Sequence, residues 1–157
     1  MNQDDSSFAS KQGRETIDIS QRSYTGFPII RKPNFVVRLI ASRNYFTKLP
    51  DMSGFTSLKE LDLSRNKFED LSPLSPLINL RRLNISSNKV RNLDFIQNLQ
   101  NLEEIIASNN KIAEIQCSFP PNITYVDLSL NELTNLSFLD EKFPTNVESI
   151  DVSQNSI

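Results

Sequence analysis

Apolar residues recur at a fixed spacing along most of this chain. Six segments share the pattern L-x-x-L-x-L-x-x-N-x-L, with other apolar residues replacing leucine at some positions. The alternation of apolar and polar residues within each segment has the period of a short β-strand that buries every second side chain. The segments begin at Val36, Leu58, Leu80, Leu102, Ile123 and Val147.

Each segment also carries an asparagine at the same position. The distances between successive asparagines are 22, 22, 22, 21 and 24 residues. A near-constant period of this length is typical of solenoids, in which each repeat adds one strand to a parallel sheet. An amide at the end of each strand can bond backbone groups that lack a partner in the sheet, so we expect a buried, structural ladder. Its members are Asn44, Asn66, Asn88, Asn110, Asn131 and Asn155.

The segments between the predicted strands indicate short turns on the opposite side of the solenoid. Apolar residues at every third position in 71–80 and 93–102 suit a short helix or a 3₁₀ turn. Pro73 and Pro76 favour the 3₁₀ form over a longer α-helix in the first of these segments. Prolines just before the last two strands favour extended backbone, so helix should be lost towards the C-terminus. These prolines are Pro120, Pro121 and Pro144.

With these features the chain resembles the leucine-rich repeat proteins. The repeats of residues 58–101 are similar to the class typified by the regulatory subunit of type 1 protein phosphatase. The resemblance implies an α/β repeat solenoid, a horseshoe with a parallel β-sheet on its concave side. The convex side is expected to combine short helices, 3₁₀ turns and extended segments. The resemblance also implies an intracellular protein that binds other proteins on its concave sheet.

The N-terminal region divides into a tail and an atypical repeat. Residues 1–13 are polar and are expected to be disordered. Residues 14–35 place Ile17 and Ile19 in the strand positions, but Arg22 stands where the asparagine belongs. We therefore expect a degenerate N-terminal capping repeat.

The leucine-rich repeat domain is expected to comprise residues 14–157, with six regular repeats in residues 36–157. The sequence stops two residues after Asn155. We expect the C-terminal cap to be absent, so that the sequence is a fragment of a longer protein or has an end that a partner covers.

Composition argues against several classes of function. The net charge of −2 lacks the basic excess of nucleic-acid binders, and no apolar run is long enough for a membrane span or a signal peptide. Histidine is absent, and neither glycine-rich phosphate-binding motif occurs. We therefore expect no enzyme activity, metal, cofactor or small-molecule substrate.

Cysteine usage favours an intracellular, cytoplasmic location. Cys117 is the one cysteine of the chain, so no disulfide can form within it. The three Asn-x-Ser/Thr triplets, at Asn84, Asn122 and Asn135, are interpreted as chance occurrences in an asparagine-rich sequence.

Apolar residues that the repeat does not require indicate where a partner binds. Ile106, Tyr125 and Leu130 lie on adjacent repeats and are expected to form one exposed patch on the concave side, with arginines at its rim. The predicted partner-binding residues are Ile40, Arg43, Arg65, Arg82, Ile106, Tyr125, Asp127 and Leu130.

Two polar columns accompany that patch. One column alternates in charge on neighbouring strands and consists of Arg38, Glu60, Arg82 and Glu104. These residues could pair only with one another and keep the sheet soluble, or they could exchange their pairs for contacts with a partner. The other column consists of serines. Each stands two residues after the strand position that Ile40 and Asp62 occupy in their repeats, and we interpret these serines as structural.

The favoured function is an intracellular protein–protein interaction module. The alternative is a scaffold or targeting domain of a larger signalling enzyme, or a phosphatase-regulatory subunit, whose remaining domains lie beyond residue 157.

Overall fold

In a computed structural model, residues 14–157 of this chain are described. They form one parallel sheet of seven strands, whose order in space follows their order in the chain. The predicted disordered tail, residues 1–13, lies outside the described residues. The strands are β1 (Glu15–Asp18), β2 (Val36–Ile40), β3 (Glu60–Asp62), β4 (Arg82–Asn84), β5 (Glu104–Ile106), β6 (Tyr125–Asp127) and β7 (Ser149–Asp151).

The strands pair in phase, so that equivalent positions of successive repeats lie side by side. Leu39 of β2 lies beside Leu61 of β3, which lies beside Leu83 of β4. In the described strands the register shifts once, between Glu15 and Thr16 of β1. The columns read from the sequence are therefore real rows of neighbours, about 4.8 Å apart.

The core is built from the apolar positions of the repeat. Leu39, Leu61 and Leu83 are at most 2% exposed, as are their equivalents in most repeats. Complete burial of one leucine side chain contributes about 1.5–3 kcal/mol. Ile150 and Val152 of the last repeat are only partly buried because no described residue packs on its far side. Phe68 and Phe95 are buried as well.

The convex side contains three 3₁₀ helices and no α-helix in residues 14–157. The helices are Pro33–Phe35, Ser72–Leu74 and Asp94–Asn98. The predicted change towards the C-terminus is confirmed, since no helix follows Asn98 among the described residues. There Phe119 packs against Phe138 and Phe143, with ring centroids 5.8 and 5.1 Å away. No helix in the described part of the chain is long and apolar enough to cross a membrane.

The predicted asparagine ladder is confirmed, and we call it the strand-end ladder. The Asn88 amide nitrogen donates to the carbonyls of Leu63, Ile85 and Ser86 at 3.0, 3.0 and 3.3 Å. Its oxygen accepts the backbone N–H of Phe68 at 3.1 Å. Each amide thus joins its own turn to the preceding repeat and bonds backbone groups beyond the strand, of which the Ser86 carbonyl also accepts the Arg65 N–H. Five members are buried, whereas Asn155 is partly exposed.

The predicted α/β repeat solenoid with a parallel concave sheet is thus confirmed. Its helices in residues 14–157 are all short 3₁₀ turns. Two of them contain a proline, and none has more than five residues.

Candidate protein-binding surface

Two columns of side chains cover the concave face of the sheet. The first contains Arg38, Glu60, Arg82, Glu104 and Tyr125, and the second contains Ile40, Asp62, Asn84, Ile106 and Asp127. Their side chains are exposed or half-buried, whereas the residue between them in each strand is buried. Over β2 to β5 the columns line a shallow trough of about 200 Å³.

The charged residues of the first column pair with one another. The Arg38 guanidinium lies 3.3 Å from the Glu60 carboxylate, and Arg82 lies 3.5 Å from both Glu60 and Glu104. Arg82 therefore belongs to this ladder in the middle of the sheet. Half-exposed ion pairs of this kind contribute about 0–1 kcal/mol each, so their loss to a partner costs the fold little.

The polar members of the second column close turns at the ends of the strands. The Asp127 carboxylate accepts the backbone N–H and the hydroxyl of Ser129, at 3.0 and 2.7 Å. Asn84 accepts the same two bonds from Ser86. These serines are therefore structural, as interpreted, and the hydroxyls of Ser20, Ser86 and Ser129 bond the carboxylate or amide side chain two residues earlier rather than backbone. Asp127, a predicted partner-binding residue, already has this local role.

The same turn stabilises the charged form of two aspartates. Hydrogen bonds from Ser20 hold the pKa of Asp18 below its ordinary value, and bonds from Ser153 do the same for Asp151. Hydrogen bonds that favour the carboxylate oppose its protonation.

The apolar residues of the predicted patch lie at three different places. Ile106 lies beside Asn84 and Asp127, and Tyr125 lies one column away, beside Glu104. Tyr125 is 37% exposed, whereas Ile106 and Ile40 are half-buried. Leu130 follows the end of β6, in the turn that precedes Asn131. Tyr125 and Ile106 are thus diagonal neighbours on the sheet, with Leu130 at its edge.

Leu130 occupies a strained and exposed position. Every residue directly before a strand-end asparagine, and Gln21 in the first repeat, has a left-handed backbone with φ between 54° and 57°. This conformation costs an ordinary side chain about 1–2 kcal/mol, and asparagine tolerates it better. Leu130 is the one apolar member of the column, and it is 46% exposed. The other members are Gln21, Arg43, Arg65, Ser87, Asn109 and Gln154.

Arg43 and Arg65 lie in that turn, together with residues that the sequence reading missed. Tyr45 is 49% exposed, and the Lys67 ammonium lies 4.9 Å from the centre of its ring. Such an exposed cation–π contact contributes about 0.5–1 kcal/mol. The position directly after each strand-end asparagine could have revealed these residues. We call Arg43, Tyr45, Arg65, Lys67 and Lys89 the basic rim.

A second row of asparagines, also missed from the sequence, lies where the strands begin. Each amide nitrogen donates to a carbonyl of the preceding repeat, as in Asn101 to Ile78 at 2.8 Å and Asn122 to Gln100 at 3.3 Å. All four members are exposed. We call this row the strand-start ladder; its members are Asn79, Asn101, Asn122 and Asn146.

The thiol of Cys117 is not activated. Burial raises its pKa to about 11, and the thiol donates to the Leu93 carbonyl at 3.4 Å. In residues 14–157, no group of three or more His, Cys, Asp or Glu side chains is arranged to hold a metal ion.

Family models of leucine-rich repeats match two adjacent parts of the chain. The single-repeat model, described as "Leucine Rich Repeat", matches residues 57–77, and the two-copy model, "Leucine Rich repeats (2 copies)", matches residues 78–119. Together with the solved structures below, they support a leucine-rich repeat protein. They describe such repeats in general, so the resemblance to the phosphatase regulatory subunit stays a prediction. Comparison with curated proteins found no significant match.

Three solved structures illustrate the fold similarity. The leucine-rich repeat domain of APL1B is 20% identical, with a TM-score of 0.76 over 89% of this chain and 44% of its own. The internalin inlF of Listeria monocytogenes is 22% identical, with a TM-score of 0.65 over 75% and 35%. The ectodomain of the receptor kinase SOBIR1 of Arabidopsis thaliana is 29% identical, with a TM-score of 0.57 over 75% and 71%. This chain therefore spans less than half the length of the first two. Leucine-rich repeat domains generally mediate protein–protein interactions.

Proposed function

We propose that this chain is a protein–protein interaction module that binds a partner protein on the concave side of its sheet. The observation that carries the proposal is Leu130. Its left-handed backbone is unfavourable for a leucine, its exposed side chain gains nothing from burial, and the other repeats use polar residues there. Strained and exposed residues of this kind are typical of binding sites.

The neighbouring concave surface supports the same proposal. Tyr125 supplies an exposed aromatic ring, the residue type enriched among the energetic centres of interfaces. Ile40 and Ile106 lie in the trough, alongside the half-exposed ion pairs of the first column. These pairs can exchange partners at little cost, which gives a binding protein specificity more than affinity.

The experiment is affinity capture from native lysate with the chain and with a Tyr125→Ala/Leu130→Asn variant. Asparagine relieves the backbone strain at position 130, so the variant should fold at least as well, and circular dichroism checks this. The control is Ile29→Ala/Ile78→Asn, which removes two exposed apolar side chains elsewhere. A protein captured by the chain and the control, but not by the variant, supports the proposal. Equal capture by all three proteins contradicts it.

A location inside the cell is part of the proposal. It rests on the single cysteine, which favours a reducing compartment. Asn135 is exposed, and its side-chain oxygen accepts hydrogen bonds from the backbone N–H and the hydroxyl of Ser137. A glycan on Asn135 or Asn122 in native material would contradict this location.

The alternative is a scaffold or targeting domain of a larger signalling enzyme. It is favoured by the similarity to the ectodomain of a receptor kinase. The mass of the native protein, measured with an antibody against this domain, tests it. Regulation of a protein phosphatase rests on the repeat resemblance alone, and capture of a phosphatase catalytic subunit would be needed to support it.

A further inference from the structure

Among the described residues, the cations of the basic rim form no ion pairs, in contrast to those of the sheet. In residues 14–157, no carboxylate forms an ion pair with Arg43, Arg65, Lys67 or Lys89. All four side chains are exposed. The next lysine of the row, Lys111, lies 3.9 Å from Glu132, which ends the basic stretch.

Charge is concentrated in this narrow strip of the molecule. The chain as a whole has a net charge of −2, yet the eight positions beside the strand-end asparagines 44, 66, 88 and 110 carry five cations and no carboxylate. Equivalent positions of adjacent repeats are linked by backbone bonds, such as Arg43 to Ser64 and Lys67 to Phe46. The cations therefore lie in consecutive rows, about 4.8 Å apart.

An aromatic side chain lies within the same strip. The Tyr45 ring is half exposed, with the Lys67 ammonium over one face. Tyrosine and arginine are the residue types most enriched among the energetic centres of protein interfaces. The basic rim combines both types without an internal counter-charge.

We propose that the basic rim binds an acidic, extended segment of the partner protein. The inference rests on the proposed function and assigns it a second contact, beside the concave sheet. Carboxylates of the segment would pair with Arg43 and Arg65, while an apolar or aromatic side chain packs on Tyr45. Planar guanidinium groups suit carboxylates because they donate two parallel hydrogen bonds.

The surroundings of the rim favour a peptide over a nucleic acid. Asp62 lies on the concave side of the strip, and the exposed Glu69 and Asp70 lie on its outer side. A continuous phosphate backbone would be repelled by these flanking carboxylates. A short peptide can place a few carboxylates on the rim and leave its other residues neutral.

The test measures binding of a fluorescein-labelled peptide, in which Asp and Glu alternate with Ser and Leu, by fluorescence anisotropy. The reference peptide carries Asn and Gln in place of the acids. Arg43→Gln/Arg65→Gln removes two rim charges, and the control Lys59→Gln/Lys142→Gln removes two exposed charges elsewhere. We expect the first variant to bind the acidic peptide about tenfold more weakly than the chain, which corresponds to about 1.4 kcal/mol. The control should bind it unchanged.

Further measurements decide how the acidic peptide is held. Its affinity should fall as salt is raised from low to physiological concentration, and Tyr45→Ala should weaken it further. Equal binding by the rim variant and its control overturns the inference. Tighter, rim-dependent binding of single-stranded RNA or of anionic vesicles overturns it in favour of those ligands.

The result is separable from that of the proposed function. If Tyr125→Ala/Leu130→Asn abolishes partner capture while the rim variant binds the peptide normally, the concave site stands and the rim inference fails. If the rim variant loses the peptide while the concave variant captures the same partner, the proposed concave site fails.

Discussion

The two asparagine ladders use the same amide in different environments. In the strand-end ladder, Asn88 is buried and makes four bonds to backbone groups of its own and the preceding repeat. In the strand-start ladder, Asn101 is exposed and donates one bond to Ile78. Both residues link adjacent repeats, and both recur with the period of the solenoid.

The difference between them is the availability of water. Without Asn88, the buried Phe68 N–H would lose its partner, at about 1–3 kcal/mol, and the Leu63, Ile85 and Ser86 carbonyls would each lose one of their two donors. The Ile78 carbonyl, left without Asn101, could bond solvent instead. The contribution of a repeated asparagine to stability thus depends on whether water can take its place as a hydrogen-bond partner. The regular recurrence of the residue does not by itself show how large that contribution is.

The largest expected effect comes from Asn88→Ala. It removes four hydrogen bonds from a buried turn in the middle of the solenoid and should lower the free energy of unfolding by about 3 kcal/mol. Urea unfolding followed by circular dichroism measures it. A decrease in the free energy of unfolding below about 1 kcal/mol would mean that water enters the turn and bonds the freed backbone groups. The two ladders would then not differ in their access to water.

Asn155→Ala should have an intermediate effect. Its amide bonds the carbonyls of Leu128 and Val152 and the N–H of Leu133, but the residue is partly exposed at the end of the described sheet. We expect a loss of about 1–2 kcal/mol. Hydrogen exchange of the Leu133 amide should accelerate, while exchange in β2 to β4 stays unchanged, because repeats contact only their neighbours. Uniform acceleration along the sheet would contradict this.

Asn101→Ala should cost about 1 kcal/mol or less, since it removes one exposed hydrogen bond. The same urea experiment measures it, with Asn98→Ala, an exposed asparagine outside both ladders, as the control. A loss equal to that of Asn88→Ala would remove the distinction between the ladders.

The smallest expected effect on stability comes from the turns that the Asp18 and Asp151 carboxylates close. Asn84 closes an equivalent turn with an amide, which does not titrate. The pKa values of the two carboxyls lie below the ordinary 3.8, so as the pH falls the unfolded carboxyls bind protons before the folded ones. The contribution of these turns is present above about pH 4 and is lost as the pH falls further. Asp18→Asn/Asp151→Asn should reduce the loss of stability between pH 5 and pH 2 in thermal unfolding. If the variant and the chain lost stability equally between pH 5 and pH 2, these two carboxylates would not contribute to the pH dependence of stability.

The strand-end ladder, the core and the parallel order could be predicted because each follows from a repeated apolar or amide position. The strand-start ladder escaped because its asparagines precede the strand, where the leucine pattern assigns no role. Among the binding residues, Arg82 was placed in an alternating charge column, and the distances show that it pairs with Glu60 and Glu104 in the unbound chain; re-pairing with a partner stays a prediction. Of the basic rim, Arg43 and Arg65 were predicted as binding residues, whereas Tyr45 and Lys67 escaped because they belong to different repeats and meet only across the turn.

The sequence by itself determined the period, the buried face of each strand and the position of every turn, because these depend on contacts that each repeat makes in the same way. Tertiary structure decided which polar side chains remain unpaired. Pairing depends on the lateral register of neighbouring repeats, which places Arg82 between Glu60 and Glu104, whereas no carboxylate of the described residues forms an ion pair with Arg43 or Arg65.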